Sequence, residues 1–327
     1  MRIKSILAIW AIIAVSFCAA FEVLPQILKS RLVLKDGGTP AMRKSIENAL
    51  TAVLQEANKI AEGKGNIESV KPYCTPEGFA ALKALVDSTR FSSNIPEHQT
   101  NLLETPQGQY EVRGLRVGVR MGETTGDPTQ FLVFTLNADR KIINVQFAIE
   151  AHHYERLFDP KLKLGDVFQR KVILGFLEEY RTAHNRKDIN YLEKVYSDFA
   201  LIIVGPPRDL QPKGEGLEGS FEQSKSKLIR KSKQEYIEAL RRVFKLNNFV
   251  KVFFDDVAVT RHPKYADIYG IKVKQRWTSS RFNDEGYLFV MIDFQDRKKP
   301  IIHVRAWQPE PFSDGSVVNL GYFKILK

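Results

Sequence analysis

The chain has 327 residues, of which 43% are hydrophobic and 27% charged, with a formal net charge of +11 and two cysteines. That composition excludes a disordered chain and one buried throughout in a membrane, and the length suits roughly two domains at ~150 residues each. Two cysteines alone cannot build a structural zinc site, and once a leader holding Cys18 is removed Cys74 has no partner for an internal disulfide.

Residues 1–21 have the three parts of a secretory signal. Arg2 and Lys4 form a positive start, Ile6 to Val15 is an unbroken apolar run, and Ala19 and Ala20 offer a cleavage point. The run is shorter than the ~20 residues of a comfortable membrane span. Three outcomes stay open: cleavage, lipidation at Cys18 behind the poor lipobox Val15-Ser16-Phe17, or retention as an anchor stretched to Phe21 and Leu24. Each places the bulk of the chain outside the cytoplasm, in the periplasm or cell envelope. Membrane contact then comes through the N-terminal segment if it is uncleaved or lipidated.

A first domain is expected over 38–158. Gly37 and Gly38 break the chain, Thr39 suits an N-cap, and Pro40 suits the first helical position. Ile46, Leu50, Val53, Leu54, Ala57 and Ala61 follow at helical spacing until Gly63 and Gly65. Thr75-Pro76-Glu77 repeats the start signal for a second helix carrying Phe79, Leu82, Leu85 and Val86, and Cys74 before it reads as an inert thiol. Beyond a polar loop the period changes to two. Strands are predicted from Tyr110 to Val119, Phe131 to Leu136 and Ile142 to Ile149. His152 and His153 beyond them point to opposite sides of an extended chain and make a poor metal site.

A second domain is expected over 164–310. A long helix from near Leu164 shows Ile173, Phe176, Leu177, Tyr180 and His184 on one face, and Asp188 caps a short helix carrying Ile189, Leu192, Val195 and Tyr196. A strand from Ala200 to Val204 precedes a segment rich in Pro, Gly and charge, from Pro206 to Lys231, that reads as an exposed loop. Ser232 and Glu235 form a capping box for a helix with Tyr236, Leu240, Val243 and Phe244. Four strands follow, at 250–260, 268–278, 287–294 and 301–307, and residues 311–327 form a C-terminal extension. Helices first and antiparallel strands afterwards, twice over, predict an α+β fold of two tandem units. The final hairpins support a duplication, with an Asp-Arg-Lys turn at Asp139 and again at Asp296, each flanked by apolar strands.

The second half resembles the nuclear transport factor 2-like superfamily, and more narrowly its SnoaL-like and cystatin-like members. The resemblance is carried by Phe176-Leu-Glu-Glu-Tyr180, Asp188, Leu192, Tyr196, Asp198, Ile202-Ile-Val204, Ser232-Lys-Gln-Glu-Tyr236, and late strands holding Trp277 and Trp307. The first half shares only the layout. The resemblance implies two cone-shaped domains, each with helices packed on a strongly curved antiparallel sheet. It implies a pocket at the open end and a sheet face suited to homo-oligomers. Fold alone does not choose between binding, scaffolding and catalysis.

Strand alternation selects the candidate residues. Gln275 and Trp277 share a face with Ile271 and Val273, opposite Lys272, Lys274 and Arg276. His303, Arg305 and Trp307 fall on one face of the last strand, and Asp293 on the neighbouring strand is placed to orient His303. Gln275, Trp277, Arg305 and Trp307 are the ligand-binding candidates, and Asp293, His303 and Tyr180 the candidates for acid–base catalysis. No HExxH, nucleophile elbow or phosphate-cradling glycine loop occurs, so no metal and no cofactor is expected.

The expectation is an exported, non-catalytic protein that binds a ligand or an envelope protein or serves as a scaffold. The alternative is a small-molecule isomerase- or dehydratase-like enzyme working in the second pocket. The basic stretch Lys225, Lys227, Arg230, Lys231 and Lys233 suits an acidic glycan or phospholipid, and no specific nucleic acid is expected.

Overall fold

The computed structural model describes residues 29–105, 108–120, 129–149, 167–205 and 229–323. The predicted leader, His152, His153, Lys225, Lys227 and residues 206–228 of the predicted loop lie outside the described residues.

In the first half, β1 (Arg31–Leu34) leads into α1 (Pro40–Ala61), a 3-10 segment (Ile67–Tyr73) and α2 (Pro76–Thr89). Both helices start where their caps put them: Thr39 Oγ1 accepts from the Met42 N–H, and Thr75 Oγ1 from the Gly78 N–H. The strands β2 (Glu97–Thr100), β3 (Leu102–Glu104), β4 (Tyr110–Gly118), β5 (Thr129–Leu136) and β6 (Ile142–Phe147) follow. β3 to β6 form a four-stranded antiparallel meander in that order. β1 pairs with β2 in parallel, Arg31 opposite Glu97. Neither β1 nor β2 was expected from periodicity: each has four residues of mixed polarity, and their pairing spans the whole helical region. Ile46, Leu50, Val53 and Leu54 of α1 and Leu82, Leu85 and Val86 of α2 bury themselves against Val112, Leu132, Phe134, Ile142 and Phe147.

In the second half, α3 (Val167–Asn185) and α4 (Ile189–Val195) precede β7 (Tyr196–Val204). Then come β8 (Ile229–Lys231), α5 (Lys233–Leu246), β9 (Val250–Arg261), β10 (Ile268–Ser279), β11 (Asn283–Asp293) and β12 (Ile301–Gln308). The Asp188 cap and the Ser232–Glu235 capping box both form. The sheet has six strands in the order β8-β7-β12-β11-β10-β9, antiparallel except where β12 meets β7. Register breaks between Lys272 and Lys274, beside Asp256 at φ 46, and between Met291 and Ile292. Such bulges bend the strands that carry them. The fold is α+β, with helices held against curved sheets. The core of this half is a separate cluster, drawn from Ile173, Phe176, Tyr180, Leu192, Ile237, Val252, Phe254, Ile271, Leu288 and Val290, among others.

α3 joins the halves. One face packs on β9 and the opposite face on β6. On the β6 side Glu178, 0% exposed, accepts from Arg113 Nη2 at 2.5 Å, Gln146 Nε2 at 3.0 Å and the Ile149 N–H at 2.9 Å. The Thr182 hydroxyl accepts from the Phe147 N–H.

On the outer face of the second sheet, the kind of face the resemblance suits to a second copy, the chain's own C-terminal segment covers part of the surface. Alternation turns Phe289, Met291, Val304 and Ala306 outward, and Phe312, Val318, Leu320 and Phe323 pack over them. Phe323 stacks on Phe289 at 5.6 Å. Gly270 leaves the room for Leu320, since a Cβ there would lie 2.5 Å from the Leu320 Cγ.

Candidate functional site

The concave side of the second sheet is built from α3 outward. Phe176, Tyr180 and His184 stand one helical turn apart, so they form a single stripe facing the sheet. Phe176 stacks on Tyr180 (5.9 Å), Tyr180 on Phe254 (6.3 Å), and His184 meets Trp277 edge-on at 6.0 Å. The Tyr180 and Tyr196 hydroxyls are 2.6 Å apart, and Tyr196 meets Tyr236 of the first turn of α5 with ring centroids 5.5 Å apart. Arg305 of β12 reaches into this cluster. Its guanidinium lies 4.9 Å from the Tyr236 ring centroid and hydrogen-bonds the Tyr180 phenol.

The environment sets the protonation states. Burial, reinforced by Tyr236 and partly opposed by Arg305, pushes the Tyr180 phenol up to about 12. Burial holds His184 down at about 4, even though its Nδ1–H donates to the Tyr180 carbonyl at 2.8 Å. The imidazole is therefore neutral at pH 7. Burial opposes the charge of Arg305, but the oxygens of Tyr236, Tyr180 and Tyr196 more than offset it, so the guanidinium stays protonated.

Arg305 is 7% exposed, and its Nε and Nη1 have no hydrogen-bond partner. Among the described residues no carboxylate pairs with it. An unpaired buried donor costs roughly 1–3 kcal/mol, more for a charged group. The indole N–H of Trp277, near the His184 end of the stripe, is also buried without a partner.

The structure brings Tyr180, Gln275, Trp277, Arg305 and Trp307 to this concave side, where Trp277 and Trp307 pack on the same apolar cluster. It does not bring Asp293 and His303 there. The predicted alternation of His303, Arg305 and Trp307 breaks at a bulge. Ile302 pairs with Ile292 and Val304 with Met291, leaving His303 as the extra residue. Ile302 consequently joins the inner core, Val304 and Ala306 the outer cluster. Asp293 follows Phe289 and Met291 on the outer face, and His303 Nε2 lies 3.8 Å from its Oδ2 with side chains 40% and 27% exposed. Tyr196 and Tyr236 were read from the sequence only as apolar packing. The available signal was Arg305 itself, a cation between Val304 and Ala306 in a strand with apolar residues on both faces.

Elsewhere, Cys74 is a protonated thiol, raised by burial to about 11. Lys233, from the basic stretch, pairs with Asp198 at 2.7 Å. A cleft of about 1120 Å³ lies where the halves meet, floored by Phe176 and Tyr191 and bordered by Glu111, Lys171, Glu179 and Lys299. Its carboxylates are engaged, Glu111 with Lys171 at 3.3 Å and Glu179 with Arg186.

These features define an α+β protein whose second half holds a buried cluster of aromatic and polar side chains beneath a bent sheet. No family model matches the sequence, and no curated protein matches it. The solved structures to which it is similar include nuclear transport factor 2-like proteins. One, from Cytophaga hutchinsonii, shares 15% identity at a TM-score of 0.32, over 43% of this chain and 98% of that one. Bd1075 of Bdellovibrio bacteriovorus shares 12% identity at 0.32, over 63% of this chain and 91% of that one. A chain of naphthalene 1,2-dioxygenase shares 10% at 0.33, over 49% and 88%.

Proposed function

We propose that this is an exported protein of the cell envelope whose second half binds a small, largely apolar ligand on the concave side of its sheet, without catalysing a reaction. The observation that carries the reading is the sorting of polar groups between the two faces. Tyr180, Tyr196, Tyr236 and Arg305 are enclosed among aromatic rings, whereas the Asp293–His303 pair lies on the outer, solvent-bathed face. Enclosed polar groups in an aromatic hollow suit recognition. Asp293 and His303 lie on the outer face, burial raises the Tyr180 phenol to about 12 so that it keeps its proton, and His184, held down at about 4, is a weak base. Export is supported by the charged start, apolar run and small residues of 1–21.

Two of the three tryptophans, Trp277 and Trp307, border the hollow, and the third, Trp10, is in the leader. In the full chain carrying Trp10→Phe, 2-naphthoate and 2-naphthamide are expected to change tryptophan emission saturably, at one site per chain. Emission that stays flat for both probes overturns the binding reading. Recovery of the chain in the cytoplasmic fraction of expressing cells overturns export.

A further inference from the structure

We propose that the ligand of this hollow is an acid, and that its carboxylate sits on the free edge of Arg305 beside the Tyr196 hydroxyl. The inference rests on the concave side being a ligand site and specifies what enters it.

Arginine keeps its proton throughout the accessible pH range, so burying it is tolerable only with an acceptor at hand. Among the described residues, other enclosed arginines have a carboxylate: Arg186, whose side chain is 6% exposed, contacts both Glu179 and Asp188 though its Nη1 has no hydrogen-bond partner, and the half-buried Arg113 contacts Glu178. Arg181 donates to Gln130 Oε1 and the Ala148 carbonyl. Arg305 has the Tyr180 phenol and the Tyr236 ring face, and three of its N–H bonds, one on Nε and two on Nη1, have no acceptor.

The phenols deepen the imbalance. Arg305 can only donate to Tyr180. The two hydroxyls 2.6 Å apart hold two hydrogens, and one hydrogen suffices for the bond between them. If Tyr180 donates to Tyr196, the Tyr196 hydrogen is left over at the end of the chain of bonds. Among the described residues the cluster thus has a net positive charge, an excess of donors and no anion. A carboxylate supplies two acceptor oxygens and one negative charge, and charge-assisted bonds of this kind are the strong ones. The surroundings describe the rest of the molecule: Phe176, Phe254 and Tyr236 present ring faces and edges, which suit an aromatic or other apolar body.

An arginine kept for a ligand and one kept for the fold respond oppositely to replacement. Arg305→Met removes a buried unpaired cation and keeps its volume, and such exchanges are commonly neutral or stabilising. The ligand-free variant is therefore expected to have an unchanged or raised Tm. The acid, 2-naphthoate, is expected to bind wild type about tenfold or more tightly than 2-naphthamide, a preference that 0.5 M salt leaves in place because the site is buried. Arg305→Met should abolish the preference and leave amide binding intact, Arg305→Lys should keep part of it, and Tyr196→Phe should weaken the acid several-fold with little effect on the amide. Equal binding of acid and amide by wild type overturns the inference while leaving the ligand site standing. A preference that persists in Arg305→Met overturns it, and so does a clear fall in that variant's ligand-free Tm, which would make Arg305 a structural residue. Binding of neither probe removes the ligand site and this inference together.

Discussion

In the first half, Asn58 holds a buried polar network that closes on itself. Its Oδ1 accepts from the Ser93 N–H at 2.7 Å, its Nδ2 donates to the Ser93 carbonyl and to Ser30, and the Ser93 hydroxyl meets His98 at 2.7 Å. These bonds tie the approaches of β1 and β2 to α1, as structural polar groups do. In the second half Arg305, 7% exposed, leaves its Nε and Nη1 without a hydrogen-bond partner. Both halves set helices against a largely antiparallel sheet, so architecture alone does not explain the difference. The Asn58 network spends its buried polarity on holding strands together, and the Arg305 cluster leaves part of its own unsatisfied. An unsatisfied group weakens the fold unless something else completes it. The contrast is why the proposed ligand site is placed in the second half.

The comparison breaks most severely if the halves are not coupled as described. Glu178→Ala strips acceptors from Arg113, Gln146 and the Ile149 N–H at once. Removing one member of a buried pair costs about 3–5 kcal/mol. Urea unfolding should show that loss and split into two transitions as the halves part company. A single transition with an unchanged midpoint would mean that Glu178 is not the joint between them.

Next in size is a pH effect whose largest share falls in the second half. The unfolded chain protonates His184 near its ordinary 6.5, while the folded chain resists until about 4. Between those values the unfolded state binds more protons. His184 thus subtracts nothing above pH 6.5, and stability falls as pH drops from 6.5 to 4, by roughly 3 kcal/mol in total. His184→Phe keeps the ring contacts with Phe244 and Trp277 and should remove most of this acid sensitivity, read as urea midpoints at pH 7 and 4.5. His98 in the first half is also lowered by burial, so the slope that remains in the variant belongs to it. An undiminished slope would place the acid-sensitive group elsewhere.

What the sequence disclosed divides along the same physical line, local signals against distant ones. Thr39-Pro40, Thr75-Pro76 and Ser232–Glu235 each act within one turn, and all three helices begin where these residues indicate. The long strands β9 to β12 were legible because alternation repeats along each of them. β1 and β2 were not, because a four-residue parallel pair is stabilised by partners more than sixty residues away. The bulge at His303 was hidden for a related reason: an extra residue exists only relative to the strand opposite, so counting along β12 alone put His303 beside Arg305. The covering of the outer sheet face by Phe312, Val318, Leu320 and Phe323 was invisible as well, since their spacing follows no helical or strand period. Tyr180, Gln275, Trp277, Arg305 and Trp307 were all chosen by face, and what the sequence lacked was the knowledge that Arg305 has no counterion.

A smaller effect tests the closed network directly. Asn58→Ala should leave the Ser93 N–H and carbonyl without their buried partner and cost about 1–3 kcal/mol, seen as a lower urea midpoint with an unchanged slope. Set beside Arg305→Met, the expected signs are opposite: loss in the half whose polar groups are paired, none in the half whose polar group is free. A neutral Asn58→Ala would erase the distinction drawn above.

The smallest effect is one in which the halves should not differ. Thr39 caps α1 through the Met42 N–H, and Ser232 caps α5 through the Glu235 N–H. Each bond is exposed, short-range and independent of what the half encloses. Replacing either residue with Ala should cost about 1 kcal/mol. The Ser232 variant also loses one side of its capping box, though the Glu235 carboxylate still accepts from the backbone N–H at that position. Near-equal losses would show that the halves differ in their interiors and not in the strength of their local structure. A Ser232→Ala cost several times that of Thr39→Ala would mean that the second half is generally the more fragile, and the neutral response expected of Arg305→Met would then need a different explanation.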